Sequence, residues 1–148
     1  MMDVQQQPAP APAPRRINAG IGRVLIWVYG LFALSAGARA TVQIATKFHV
    51  APLAYTLSAL AALIYLIATV CLARSTPASR RLAIICCSIE LAGVIAVGAA
   101  SIIWPASFPD ATVWSDFGQG YGYVPLILPM IGLWWLLRRS AAPATPSE

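Results

Sequence analysis

Charge is what this chain has least of. Only 10% of its 148 residues are Asp, Glu, Lys or Arg, against roughly 25% in soluble domains, so an ordinary polar surface facing water is excluded. There are five acidic residues and one histidine, too few to furnish paired catalytic carboxylates, a nucleophile with its base, or a histidine metal set. Cys71, Cys86 and Cys87 form neither a Cys-x-x-Cys pair nor a disulfide framework, and read as small buried residues. The run Gly118-Gln119-Gly120-Tyr121-Gly122 lacks the lysine and the strand-to-helix setting of a phosphate loop. No enzyme activity, cofactor or metal is expected.

What is present is apolar. Hydrophobic residues make up 59% of the chain and the mean hydropathy is +0.71. Four runs of this kind are separated by short polar stretches, with spans expected at about 20–46, 53–73, 82–104 and 121–137. Each is close to the roughly 20 residues that a bilayer requires. The reading is an all-α polytopic membrane protein, four transmembrane helices in two hairpins within a domain over 18–139. Pro52 suits a first helical turn, and Pro125, Pro129 and Gly132 predict a kinked or tilted last span. Residues 105–122, with Gly118, Gly120 and Gly122, are expected to be a flexible loop. The Pro-, Ala- and Gln-rich stretch 1–17 and the stretch 140–148 are expected to be disordered cytoplasmic tails.

Basic residues set the orientation. With the amino terminus inside, Arg15, Arg16, Arg23, Arg74, Arg80, Arg81, Arg138 and Arg139 are all cytoplasmic, and only Arg39 and Lys47 lie outside. Both ends are then in the cytoplasm, and the expected location is the plasma membrane. Trp27, Trp134 and Trp135 would mark the inner interface, and Tyr55, Trp104, Trp114, Tyr121 and Tyr123 the outer one. The net charge of +5 comes from these clusters flanking apolar runs rather than from a basic face, so nucleic acid is not an expected partner. A competing reading takes the first span as a long signal peptide cleaved after Ala38-Arg39-Ala40. It would discard the stripe Ser35, Arg39 and Gln43, which at four-residue spacing makes better sense as the inward face of a retained helix.

Glu90 is the residue that stands out, because an ionisable group within a span is costly and faces a bundle interior. It lies about 12 Å inside the inner interface at 1.5 Å per residue. The same depth brings Tyr29 and Tyr65 beside it, so a hydroxyl can bond the carboxyl. Cys86, Cys87, Gly93, Val97 and Ser101 extend the small or weakly polar face of that helix. Glu90 is thus either a proton- or cation-binding carboxylate or a hydrogen-bonded carboxyl that fixes packing. A second polar group, Arg39, Gln43, Lys47, His49, Asp110 and Asp116, gathers at the outer end, as a binding mouth or as an interfacial collar.

The order of Arg23 with Val24-Leu25-Ile26 and Tyr29-Gly30, Ala51-Pro52-Leu53-Ala54-Tyr55, Glu90-Leu91-Ala92-Gly93, and Phe108-Pro109-Asp110-Ala111-Thr112-Val113-Trp114 through Phe117-Gly118-Gln119-Gly120-Tyr121-Gly122 resembles an uncharacterised family of small four-span membrane proteins of actinobacterial type. The resemblance covers about 16–139, implies the same fold and a plasma-membrane location, and brings no activity with it. A looser likeness to oxidoreductase-associated four-helix proteins of the DoxX type is one of architecture. The expected function is that of a non-catalytic accessory or interaction subunit with a membrane-protein partner or a second copy of itself. The alternative is a small proton- or cation-coupled transporter or ligand-binding bundle using Glu90.

Overall fold

The computed structural model describes residues 20–140. Four helices account for most of them: α1 (Ile21–Lys47), α2 (Pro52–Arg74), α3 (Pro77–Ile103) and α4 (Val124–Ser140). No strand occurs among the described residues. The expected tails lie outside these residues, apart from Ser140, which ends α4.

Local chemistry explains the boundaries. Lys47 ends α1, and its carbonyl accepts from Val50 N at 2.9 Å in the turn that leads to Pro52. Pro52 occupies the first turn of α2, where its missing N–H costs nothing. The α2–α3 connection is only Ser75 and Thr76, with Ser75 in the left-handed region at φ 56°. Thr76 and Ser79 then form a capping box: Ser79 N donates to Thr76 Oγ1 at 3.1 Å, and Thr76 N donates to Ser79 Oγ at 2.8 Å. That box starts α3 at Pro77 rather than near Leu82, so most of the polar loop expected before the third span is helix.

The bundle is built on close backbone approaches. A side chain added at Gly30 would touch Thr69, and one at Gly37 would touch Ala62, so α1 and α2 pack through small residues. The buried face of α1 is Leu25, Tyr29, Ala36, Ala40 and Gln43. Of the polar stripe expected to face inward, only Gln43 is buried, while Ser35 and Arg39 are exposed. Helical spacing of four residues drifts around a long helix, and the small alanines take the contact instead.

The outward faces carry Val24, Leu31, Leu34, Leu63, Leu66, Ile85, Ile95 and Ile102, each about half exposed or more. Such a belt is untenable in water and ordinary in lipid. Helices α1, α2 and α3 are long and apolar enough to cross a membrane. A fourth span exists if the bent pair Ser115–Tyr121 and Val124–Arg139, which meet at 98°, counts as one. The chain is a helical membrane protein.

Residues 105–122 differ from expectation. Rather than a flexible outer loop, they fold back onto the bundle, with Thr112, Val113, Trp114, Ser115 and Gly118 buried. Thr112 and Ser115 brace the turn: Ser115 N donates to Thr112 Oγ1 and Thr112 N to Ser115 Oγ, both at 2.9 Å. Asp116 N donates to Ser101 Oγ of α3 at 3.0 Å. Asp116, Phe117 and Gly118 are all left-handed, with φ of 49°, 59° and 82°. Two of the three carry side chains that disfavour this region, so packing holds the turn in place. Phe117 lies directly on Gly98, where an added Cβ would come within 2.7 Å of its ring.

Candidate functional site in the bundle core

Glu90 sits midway along α3 and is fully buried. Every other element of the bundle contributes to its surroundings. Tyr29 comes from α1, and its hydroxyl donates to Glu90 Oε2 at 2.7 Å. The same hydroxyl lies 3.3 Å from Cys87 Sγ, one turn along α3. Because the phenol has one proton and gives it to the carboxylate, the thiol is the donor to the phenol oxygen, and the order runs Cys87 to Tyr29 to Glu90. From α2, the Tyr65 ring packs on Tyr29 with centroids 6.1 Å apart, and its hydroxyl is within electrostatic reach of Glu90 and the Trp114 indole. Helix α4 closes the group through Gly132, where a Cβ would stand 3.1 Å from Cys87 Sγ and 3.5 Å from the Tyr29 hydroxyl.

Trp114 is the part of the site that sequence reasoning missed. Expected at the outer interface, it is 3% exposed and lies flat on Gly93, one turn outward of Glu90. An added Cβ at Gly93 would come within 2.9 Å of the indole. The folded-back loop therefore plugs the core from the end of the bundle that carries Lys47 and Asp110. The available signal was Gly93 itself, a residue that leaves a ring-sized notch one turn from a buried carboxyl.

Among the described residues Glu90 Oε1 has no hydrogen-bond partner, while the Tyr65 hydroxyl and the Trp114 indole N–H lie near each other without a well-formed hydrogen bond. Groups of this kind cost about 1–3 kcal/mol each when left unpaired. The carboxyl oxygen Oε1 of Glu90 is thus an acceptor that the described residues leave open. Aromatic contacts link the cluster outward, with Phe32 on Tyr65 and Tyr121 on Phe32, each 5.8 Å between centroids.

The residues expected to gather as a second polar group make these contacts, with Arg39 within electrostatic reach of Asp110. Asp110 accepts from the Tyr55 hydroxyl at 2.6 Å and pairs with Lys47 at 3.2 Å. Those contacts, the Tyr55 hydroxyl foremost, hold the Asp110 carboxyl below its ordinary pKa. Arg39 instead donates to the Tyr121 hydroxyl at 3.1 Å and lies over its ring. Gln43 is buried with Oε1 unpartnered. His49 and the Asp116 carboxylate make no hydrogen bond or ion pair with the described residues, and both side chains are exposed. Among the described residues, no group of three or more His, Cys, Asp and Glu side chains could hold a metal.

Comparison with family models, curated proteins and solved structures gives no match to this chain.

Proposed function

We propose that this protein is a plasma-membrane bundle of four spans with both ends in the cytoplasm, of the small actinobacterial type it resembles, and that Glu90 binds and releases a proton as part of a coupled transport or sensing cycle. The observation that carries the reading is the fully buried carboxyl with one oxygen bonded to Tyr29 and the other unpartnered. Intramembrane carboxyls mark proton and ion paths by default. A proton is favoured over a larger ligand because the cluster is tightly filled, with Trp114 on Gly93 and Cys87 and Tyr29 against Gly132. Orientation is supported by the arginines: Arg23, Arg74, Arg80, Arg81, Arg138 and Arg139 flank one end of the spans, and Arg39 and Lys47 the other.

The test is infrared difference spectroscopy of the reconstituted protein across pH. A carboxyl band that appears and disappears with pH in the wild type and is missing in Glu90→Gln is expected. A Glu90 carboxyl that keeps one protonation state from pH 4 to 10 would sink the proposal.

A second reading, an accessory subunit for another membrane protein, is favoured by a groove of about 390 Å³ between α1 and α4. It is lined only by apolar residues, among them Val24, Val28, Ile127 and Ile131, and would accept a partner helix. Mild-detergent pull-down through a carboxy-terminal tag checks it: one near-stoichiometric membrane partner supports it, and recovery of the chain alone opposes it.

A further inference from the structure

The surroundings of Glu90 differ along the two directions of α3. Toward the end that carries Lys47 and Asp110, the buried face of the helix is filled: Trp114 lies on Gly93, Val94 is fully buried, and Phe117 lies on Gly98. Toward the end that carries Arg80 and Arg139, the same face is Cys87, Cys86, Ala83 and Ser79, all buried and none bulkier than cysteine. That stripe ends in a pocket of about 180 Å³ between α2, α3 and α4, with Ala83 and Ser79 in its wall.

The pocket suits water. Its volume is several times the roughly 30 Å³ share of a water molecule, and Ser79, Arg80 and Arg139 bring polar groups to its wall beside Leu72 and Trp135. Ala83 and Cys87 stand one turn apart on one side of α3, about 6 Å at 1.5 Å per residue, so one alanine side chain separates the pocket from the thiol along that face. From Cys87 the chain of donors is already formed: Sγ lies 3.3 Å from the Tyr29 hydroxyl, which donates to Glu90 Oε2 at 2.7 Å. Among the described residues, the titratable groups facing the carboxyl are Tyr29 from α1, Tyr65 from α2, and Cys86 and Cys87 from α3. Helix α4 and the folded-back segment present Gly132 and Trp114, which do not titrate. Tyr65 leads nowhere comparable, because it meets the Phe32 ring, which has no proton to pass on, and the Trp114 indole, which only donates.

We propose that protons reach and leave Glu90 from the end of the bundle that carries Arg80 and Arg139, through this pocket and by way of Cys87 and Tyr29. The inference rests on the reading of Glu90 as a proton-binding carboxyl and gives that site a direction. On protonation Glu90 Oε2 takes the phenol proton, the Tyr29 oxygen takes the thiol proton, and Cys87 Sγ is refilled by a hydronium ion that enters from the pocket past Ala83. Tyr29 and Cys87 end with the protons they began with, and Glu90 gains one. Release runs the same steps in reverse.

The experiment is a downward pH jump on the full chain in mild detergent, with the growth rate of the Glu90 carboxyl band read by time-resolved infrared spectroscopy. Arg139→Cys on a Cys71→Ala background, which removes the other thiol of the pocket wall, is compared with and without a bulky maleimide. The maleimide on Arg139→Cys and the change Cys87→Ala should each slow the rate at least about tenfold, with the final band unchanged. Cys87→Ser keeps a donor and should recover most of the rate, which a merely structural role of the thiol would not predict. A maleimide on Gln119→Cys, exposed on the folded-back segment, should leave the rate as it was. Should Cys87→Ala not fold, the two labelled variants decide alone. An unchanged rate with the pocket labelled or in Cys87→Ala would overturn the proposal, as would slowing by the Gln119→Cys label. A band that never titrates removes the reading of Glu90 and this one with it, whereas a band that titrates at an unaltered rate removes only the access route.

Discussion

The Tyr29 hydroxyl donates to Glu90 Oε2 at 2.7 Å across the centre of the bundle, joining α1 to α3 where both are deepest. Tyr29→Phe removes the only protein donor that the described residues give this carboxyl, leaving both oxygens bare. The expected loss is about 1–3 kcal/mol, read by detergent-denaturation titration. Glu90→Leu with Tyr29→Phe should cost less than the sum of the two changes, since neither partner is then stranded. An additive double mutant would show that the bond contributes nothing.

Gly93 and Trp114 are paired by shape. Gly93→Ala would place a Cβ 2.9 Å from the indole, and a packed core resists such insertion by about 1–3 kcal/mol. The ring should be displaced toward water, with a red-shifted emission from the tryptophan population. Trp114→Leu in the same chain should restore stability. An unshifted spectrum from a fully stable Gly93→Ala protein would contradict the packing.

The glycines along α3 and α4 should rank by what opposes them. At Gly98 an added Cβ meets the backbone nitrogen of Phe117 at 2.8 Å as well as the ring, and backbone in a left-handed turn has little room to move. At Gly132 it meets Cys87 Sγ at 3.1 Å, a contact that Cys87→Ala would relieve. Gly98→Ala should therefore be the more damaging, and only Gly132→Ala should be rescued by the second change.

Accessibility tests the folded-back loop. Gln119→Cys lies on the exposed side and Ser115→Cys on the buried one. In the purified protein in mild detergent a maleimide should label the first and spare the second. Equal labelling would mean that the segment is free of the bundle.

Acid should loosen the clamp that Tyr55 and Lys47 make on Asp110. The Asp110 carboxyl is held below its ordinary pKa by the Tyr55 hydroxyl and Lys47, so its contribution to stability is present above the unfolded carboxylate range and is lost as pH falls through the lowered folded value. Protease cleavage within 105–111 should rise below about pH 4, the ordinary carboxylate range, and Asp110→Asn should show the higher rate at neutral pH already. A cleavage rate flat from pH 7 to 3 would refute the clamp.

The helices were legible because lipid demands long apolar runs, and because a fixed rise per residue lets depth be counted. That count is what locates Tyr29 and Tyr65 beside Glu90. The start of α3 was misjudged because arginines at 80 and 81 suggest a loop, whereas the Thr76–Ser79 box makes them the second turn of a helix whose polar ends can reach the headgroups. The stripe through Ser35 and Arg39 misled because spacing alone does not say which face of a helix meets its neighbour. Trp114 was unreadable for a different reason: nothing local separates a tryptophan resting at an interface from one carried inward by its loop. Only the notch at Gly93, on another helix, distinguishes them.

The path of the chain through the core also fixes an order of events. A membrane protein is made amino terminus first, so Tyr29 and Tyr65 reach the bilayer before Glu90 leaves the ribosome, while Trp114 and Gly132 follow it. The carboxyl enters beside a donor already waiting on α1. The plug at Trp114 and the backbone of α4 arrive afterwards, so the core around the acid is sealed by segments made later than the acid itself.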